Sequence, residues 1–189
     1  PTLPPPQDPR HRPAARSVTP LAGWPPIEPG APSAGWYEGI VRTLVEPALR
    51  GTLPVVEIRT ERGTLVLELM PVDAPLTVHN FLELARSGFY TGTNFHRVVP
   101  NFVAQDGDPR GDARGGPGYT IRDELNRRRY GRGVVGMALS GPDTGGSQYF
   151  ITHSAQPHLD GGYTVFGRVR DGMDVLDAIV QHDRILEGV

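Results

Sequence analysis

The chain has 189 residues, a formal net charge of −2 and no cysteine. That length favours one globular domain with a remainder, and it suffices to bury a core. The near-neutral charge gives no reason to expect nucleic acid or an anionic membrane as a main partner, and the missing thiols exclude a disulfide framework, a thiolate zinc site and a cysteine nucleophile. No apolar run approaches the roughly 20 residues that span a bilayer, and no basic-then-apolar leader opens the chain. The first residues are Pro-Thr without Met, and the last stretch, Ile185-Leu186, reads as the start of a strand; both ends are expected to be cut from something longer. The compartment stays open, bacterial periplasm and cytoplasm both fitting a cysteine-free chain.

Eleven of the 20 prolines fall within the first 32 residues. Proline lacks the N–H and fixes φ, so helices and central strands are excluded there, and residues 1–34 are predicted to be an extended Pro-rich linker or tail. Residues 35–53 form the next unit. Trp36, Ile40, Val41, Leu44 and Val45 recur at helical spacing, which predicts one short amphipathic helix and a connector. Trp24 and Trp36, the two tryptophans, both precede Pro54 and are expected to pack on the domain or on a neighbouring one.

Residues 54–189 read as a compact β-rich domain. Val56 and Ile58, then Leu65, Leu67 and Leu69, alternate with polar residues around Glu61-Arg62-Gly63, which predicts a hairpin. Pro75 suits a first helical position; Val78, Phe81, Leu82 and Ala85 give one apolar face, and Gly88 a stop. Further apolar runs at Phe95–Val99, Val134–Leu139, Tyr149–Thr152 and Thr164–Val169 predict strands. A second helix is predicted with Met173, Leu176, Ile179 and Val180 on its buried side. Many short strands with two helices point to a closed barrel with capped ends, which removes exposed sheet edges.

Three segments carry the chemistry. The first runs from Phe95 to Asp108 and contains Arg97, Phe102, Val103 and Gln105; the second runs from Gly136 to Ile151 and contains Ala138, Leu139, Gln148 and Phe150; the third runs from Pro157 to Gly167 and contains His158, Leu159 and Tyr163. Alternation puts Phe95, Arg97 and Val99 on one face of a strand and His96 and Val98 on the other. By itself an arginine there reads as structural, snorkelling to water or paired with a carboxylate.

Together these segments closely resemble the cyclophilin family, from about Val55 to Leu186. The resemblance implies an eight-stranded antiparallel β-barrel capped by two α-helices, here preceded by the Pro-rich extension, with a groove on its outer face and no cofactor. It implies a peptidyl-prolyl cis–trans isomerase acting on proline-containing polypeptides. Arg97 matches the family's catalytic arginine and Gln105 the glutamine beside it. Phe102, Val103, Phe150 and Leu159 match the proline-pocket wall, Ala138 and Leu139 a strand edge whose backbone binds substrate, and Gln148 another groove residue. Three positions depart from the pattern. His158 stands where many members have tryptophan, so weak cyclosporin binding is expected. Tyr163 replaces histidine, as in the bacterial branch, and its hydroxyl can still donate. Leu139 replaces asparagine and keeps only a backbone role. A monomer, or a domain of a larger chain, is expected.

Other signals are weaker. His153, His158 and Asp160 match no metal spacing. Ser147 lacks the flanking glycine pattern of a nucleophile elbow, Gly115-Gly116-Pro117-Gly118 reads as a loop beside the groove, and Arg127-Arg128-Arg129 with Arg132 reads as a solvated loop. The rival function is a non-catalytic module that binds proline-containing partners. The tail, with its X-Pro bonds including Trp24-Pro25, is a further candidate for docking in the groove.

Overall fold

The computed structural model of the chain describes residues 33–188. The Pro-rich stretch 1–32, with Trp24, lies outside them. Among the described residues no helix is long and apolar enough to cross a membrane.

The first described element is a helical run in three parts: α1 (Ala34–Ile40), a π-helical turn (Val41–Val45) and α2 (Glu46–Leu49). Pro47 has no N–H for the carbonyl four residues back, so the ladder opens by one residue just before it. The wider turn changes the expected face: Ile40 and Ala48 are buried, whereas Val41 is 45% exposed. Trp36 is half-buried and sets its ring edge-on against His79, 5.4 Å between centroids.

The remaining elements are β1 (Val55–Thr60), β2 (Gly63–Leu69), α3 (Pro75–Arg86), β3 (Arg97–Val99), β4 (Val103–Asp106), β5 (Val134–Met137), β6 (Tyr149–Thr152), β7 (Val165–Asp171), α4 (Met173–Ala178) and β8 (Ile185–Gly188). All eight strands join one antiparallel sheet in the order β3-β4-β6-β5-β7-β2-β1-β8. The chain preceding β3 meets the chain preceding β8: Gly92 N–H donates to Ile185 O at 2.8 Å, Ile185 N–H to Thr93 O at 2.9 Å, and Phe95 N–H to Asp183 O at 3.0 Å.

The predicted hairpin is β1–β2, with Glu61-Arg62 as its turn. Arg62 grips Asp183 through Nε at 2.7 Å and Nη2 at 2.9 Å, tying that turn to the loop before β8. Helix α3 starts at Pro75 as expected. Its N-cap Ala74 offers no side-chain acceptor, so Glu124 serves from a distant loop, taking the Leu76 and Thr77 N–H groups at 3.0 and 2.7 Å. This meets the exposed donors of a helix start with a negative charge, which the helix dipole favours. The buried face of α3 closes over the inner side of the sheet, where the Phe81 ring lies 5.1–5.3 Å from the rings of Tyr90, Tyr149 and Phe166.

Two expectations are corrected. Phe95 belongs to the inner core with Val98, while Val99 packs on the outer cluster. The ladder begins only at Arg97, and the backbone of Phe95 is tied to Asp183 and His182 instead, so strand alternation does not extend back to it. Val180 is 50% exposed and lies outside α4, because Ile179 leaves the helix with φ −64° and ψ 129°.

The inner core also contains a charge-capable group. Asp106 is fully buried and its Oδ1 has no hydrogen-bond partner. Thr93 Oγ1 lies 3.1 Å from Asp106 Oδ2 and 2.8 Å from Tyr90 O, and its one proton serves one of them at a time. Burial lifts the Asp106 pKa to about 7, against weaker opposing pulls from the Gly107 N–H, Thr93 and the neighbouring Tyr149 hydroxyl. A protonated Asp106 can donate to Thr93 while Thr93 donates to Tyr90 O. An acid whose pKa is raised by folding leaves stability intact below its ordinary pKa near 3.8 and reduces it as pH rises to about 7, by on the order of 4 kcal/mol. Asp106→Asn keeps the donor without the charge. In urea unfolding, the variant is therefore expected to gain on the wild type between pH 4 and pH 8; a constant offset across that range would refute a neutral Asp106.

Candidate active site

The sheet sorts its side chains by register. Arg97 on β3 faces Gln105 on β4, Gln105 faces Phe150 on β6, Phe150 faces Gly136 on β5, and Gly136 faces Val165 on β7. Directly opposed residues in antiparallel strands share a face. This row therefore lies on one side of the sheet, the outer one, while Ala104, Tyr149 and Ile151 from the same strands point into the inner core.

A second apolar cluster forms around the row. Phe102, Val103, Tyr130, Phe150, Leu159 and Val165 are its buried members, with Tyr163 and Ala138 packed against them. Phe102 follows the tight turn between β3 and β4, where Asn101 takes φ +59° and Phe102 N–H closes on Val99 O at 3.0 Å. Leu159 ends a 3-10 turn, Pro157–Leu159. His158 of that turn stacks on Phe102, 5.6 Å between centroids at 24°, and Tyr163 meets Phe150 edge-on at 5.7 Å.

Arg97 stands at the rim. Its Cζ is 5.5 Å from the centre of the Phe102 ring, within cation–π range. Among the described residues no carboxylate pairs with it, and its Nη1 is buried without a hydrogen-bond partner. Burial lowers its pKa, with Tyr163 acting weakly in the opposite direction; an arginine so shifted is still charged. Burial likewise raises the Tyr163 pKa, and Arg97 pulls it back. The structural alternative for Arg97, a carboxylate partner, is absent among the described residues. A buried donor left unpaired costs about 1–3 kcal/mol, a cost that a carbonyl from a bound molecule would remove.

The polar neighbour is ordered. Gln105 is buried, and its Nε2 donates to Gln148 Oε1 at 3.0 Å; Gln148 Nε2 donates in turn to Gly115 O at 2.9 Å. Gly115 belongs to the glycine-rich loop, which thus lies beside this row. Ala138 N–H donates to Gln148 O at 3.0 Å. Leu139 differs from the rest: its side chain packs on the inner core, and both residues lie past the end of β5, which stops at Met137. The expected strand edge at 138–139 is therefore irregular chain beyond the strand, and Leu139 is not part of the outer cluster.

Sequence reasoning missed Tyr130 and Val165. Tyr130 stacks on Phe150, 5.5 Å apart at 28°, and its N–H donates to Asp160 Oδ1 at 2.8 Å. It follows three arginines in a loop with no periodicity, so no sequence signal marks it. Of those arginines, Arg128 pairs with Asp73 at 2.9 Å, and Arg132, just past Tyr130, pairs with Asp177 at 2.6 Å. Ser147 is buried and donates to Gly107 O at 2.6 Å, a structural use of its hydroxyl. His153 anchors the β3–β4 turn by donating its N–H to Phe102 O at 2.8 Å.

The family model described as "Cyclophilin type peptidyl-prolyl cis-trans isomerase/CLD" matches residues 55–187. The chain belongs to the cyclophilin family. A peptidyl-prolyl cis-trans isomerase of Helicobacter pylori is 50% identical over 136 residues, covering 70% of this chain and 83% of the relative. Peptidyl-prolyl cis-trans isomerase B of Bacillus subtilis is 54% identical over 109 residues, covering 57% and 76%. Among solved structures, a cyclophilin type isomerase of Cryptosporidium parvum superposes with a TM-score of 0.68 at 35% identity, covering 73% of this chain and 97% of its own. The same parasite protein was also solved in the presence of the dipeptide Ala-Pro, with a TM-score of 0.66. The match begins at β1, so the helical run 34–49 lies before the cyclophilin unit.

The floor of the outer cluster rests on one glycine. A Cβ on Gly136 would run into the Tyr130 hydroxyl and the Phe150 ring tip. Gly136→Ala is expected to push these rings apart, destabilising the fold by about 1–3 kcal/mol and raising KM for a proline peptide. Thermal unfolding and peptide titration would check both; an unchanged KM would show that the ring stack does not shape the pocket.

Proposed function

We propose that this cyclophilin-family isomerase accelerates rotation about X-Pro bonds in polypeptides through Arg97, with Gln105 beside it, and that Phe102, Val103, Phe150, Leu159 and Tyr163 hold the proline ring and its neighbours. The observation that carries this reading is a buried, unpaired guanidinium N–H at the rim of an apolar cluster.

The chemistry needs little else. The peptide bond resists rotation by about 18–20 kcal/mol because its nitrogen shares its lone pair with the carbonyl, and uncatalysed X-Pro isomerisation takes tens to hundreds of seconds. No covalent bond is made or broken. In the twisted amide the nitrogen lone pair is localised and can accept a hydrogen bond, and a fixed cationic donor stabilises that state more than either planar isomer. The apolar cluster holds the pyrrolidine while the preceding carbonyl turns. Ala138, Leu139 and Gln148 contribute backbone and polar contacts along the bound chain. The Ala-Pro dipeptide present with the Cryptosporidium relative supports proline-containing polypeptides as the substrate class.

The finer parts of this reading go with it. The sheet closes into a barrel through the contacts between residues 92–95 and 182–185. The chain divides into a Pro-rich tail 1–34, a helical connector 35–53 and the isomerase domain 54–189, and acts without nucleic acid or membrane, as a monomer or a domain of a longer chain. Cyclosporin binds weakly, because a small imidazole covers Phe102 where a tryptophan would offer more area.

Exchange NMR on a short X-Pro peptide tests the mechanism. Arg97→Ala is expected to cut the catalysed exchange rate about 100-fold or more, with Arg97→Lys in between, because an ammonium lacks the planar donor fork. If Arg97→Ala leaves exchange intact, the arginine is not the catalytic donor; if even the wild type binds without accelerating exchange, the chain is a proline-recognition module instead. For His158→Trp, cyclosporin is expected to bind about tenfold tighter, a gain of about 1.4 kcal/mol; unchanged inhibition would show that this position does not limit the drug.

A further inference from the structure

Gln105 and Gln148 form a polarised chain whose direction is set outside the groove. An amide side chain can be turned either way, with oxygen and nitrogen exchanged. The Gly115 carbonyl at the end of the chain can only accept. Gln148 must therefore give its Nε2 to Gly115, at 2.9 Å, and turn its Oε1 toward Gln105. Gln105 must then give its Nε2 to Gln148, at 3.0 Å, which leaves its own Oε1 for a donor in the groove. Arg97, a donor-only side chain, is directly opposite Gln105 in the β3–β4 register. The polarity of the amide opposite Arg97 is thus inherited from one backbone carbonyl, two hydrogen bonds away.

The loop that carries that carbonyl wraps around one buried carboxylate. Asp108 is buried, 1% exposed, two residues past the end of β4. Its Oδ1 accepts the Arg110 N–H at 2.8 Å, and its Oδ2 accepts the Asp112 N–H at 2.9 Å and shares the Arg114 N–H, at 3.1 Å, with Asp112 Oδ1, at 3.0 Å. Three donors spread over five residues fold loop 110–115 around one side chain. Gly115 comes so close that a Cβ there would overlap Asp108 Oδ1. A buried carboxylate satisfied by three N–H groups is a rigid anchor, because freeing any one of them leaves a buried charge short of a partner.

We propose that Asp108 is a positioning residue for isomerisation: it fixes the Gly115 carbonyl, and through Gln148 it sets which end of the Gln105 amide faces Arg97. This rests on the roles proposed above for Arg97 and Gln105. Asp108 touches no substrate in this scheme; it acts by keeping one amide from turning over.

Exchange NMR on the full chain with a short X-Pro peptide tests it, beside the side-chain amide signals of Gln105 and Gln148. Asp108→Ala, folded by near-UV circular dichroism at the temperature used, is expected to lower the exchange rate at saturating peptide about tenfold while peptide affinity changes less. The Gln105 amide signal should move toward that of a free glutamine. Gln148→Leu, which also loses a peptide contact of its own, should move the Gln105 signal in the same way, and adding Asp108→Ala to it should lower the saturated rate no further, because both break one chain. Asp108→Asn, whose amide oxygen keeps part of the N–H set, should recover part of the rate. A purely structural Asp108 would lower the unfolding temperature without moving the rate or the Gln105 signal, and that result overturns the proposal, as does additivity in the double variant. If Asp108→Ala does not fold, Gln148→Leu decides, since an unmoved Gln105 signal there also overturns it. Arg97→Ala run alongside separates the two levels: its retained activity would sink the site reading and the relay together, whereas its loss beside an active Asp108→Ala would sink the relay alone.

Discussion

The antiparallel register that lines up Arg97, Gln105, Phe150, Gly136 and Val165 is the constraint on which everything else depends. In a sheet the side-chain period is two, so a slip of one residue in any of these ladders would send Phe150 or Gln105 to the wrong face. The row is held because the alternate positions, Ala104, Tyr149 and Ile151, are required by the inner core. Core packing and site geometry are the same choice seen from two sides of the sheet. The outer row is thus backed directly by the inner core.

Asp106 and Arg97 are among the buried polar groups of the described residues that lack full partners, and they do opposite things. Asp106 sits inside, short of donors, and burial makes it a weak acid that is neutral through much of the acidic range. It answers desolvation by giving up its charge. Arg97 cannot do that; a guanidinium keeps its proton even when burial lowers its pKa. Its unsatisfied N–H is a standing demand for an acceptor, and the apolar wall formed by Phe102 and its neighbours limits how water can meet it. The residue types differ, and so do the outcomes: one is a stability term that varies with pH, the other a donor left open at the rim of an apolar cluster.

The helical run before β1 stands outside the family match yet packs on the domain, with Trp36 against His79 on α3. Its middle is a π turn imposed by Pro47, and the consequence is an apolar face narrower than its spacing promised. Here a single proline overrides the period of a whole segment. A comparable local veto ends α4 at Ala178, where extended backbone at Ile179 leaves Val180 facing solvent.

Period-two runs, the Pro75 helix start and three ordered motif segments made the strands, the main helix and the family legible in the sequence alone, because alternation and turn chemistry are local properties. The same segments named Arg97, Gln105, Phe102, Phe150 and Tyr163 as candidates. They did not tell a paired arginine from an unpaired one, since that depends on which carboxylates the fold brings near. Nor did they reveal Tyr130, which joins the outer cluster from an arginine-rich loop, or place Phe95 in the inner core, where its backbone is tied to residues 182–183 and it lies before β3 begins. Leu139 turned inward for the same reason: its strand ends two residues earlier than its apolar run. The sequence by itself determined the elements and the kinds of side chain available. Tertiary structure decided their pairing, burial and polarity, because those are set by contacts between residues far apart in the chain.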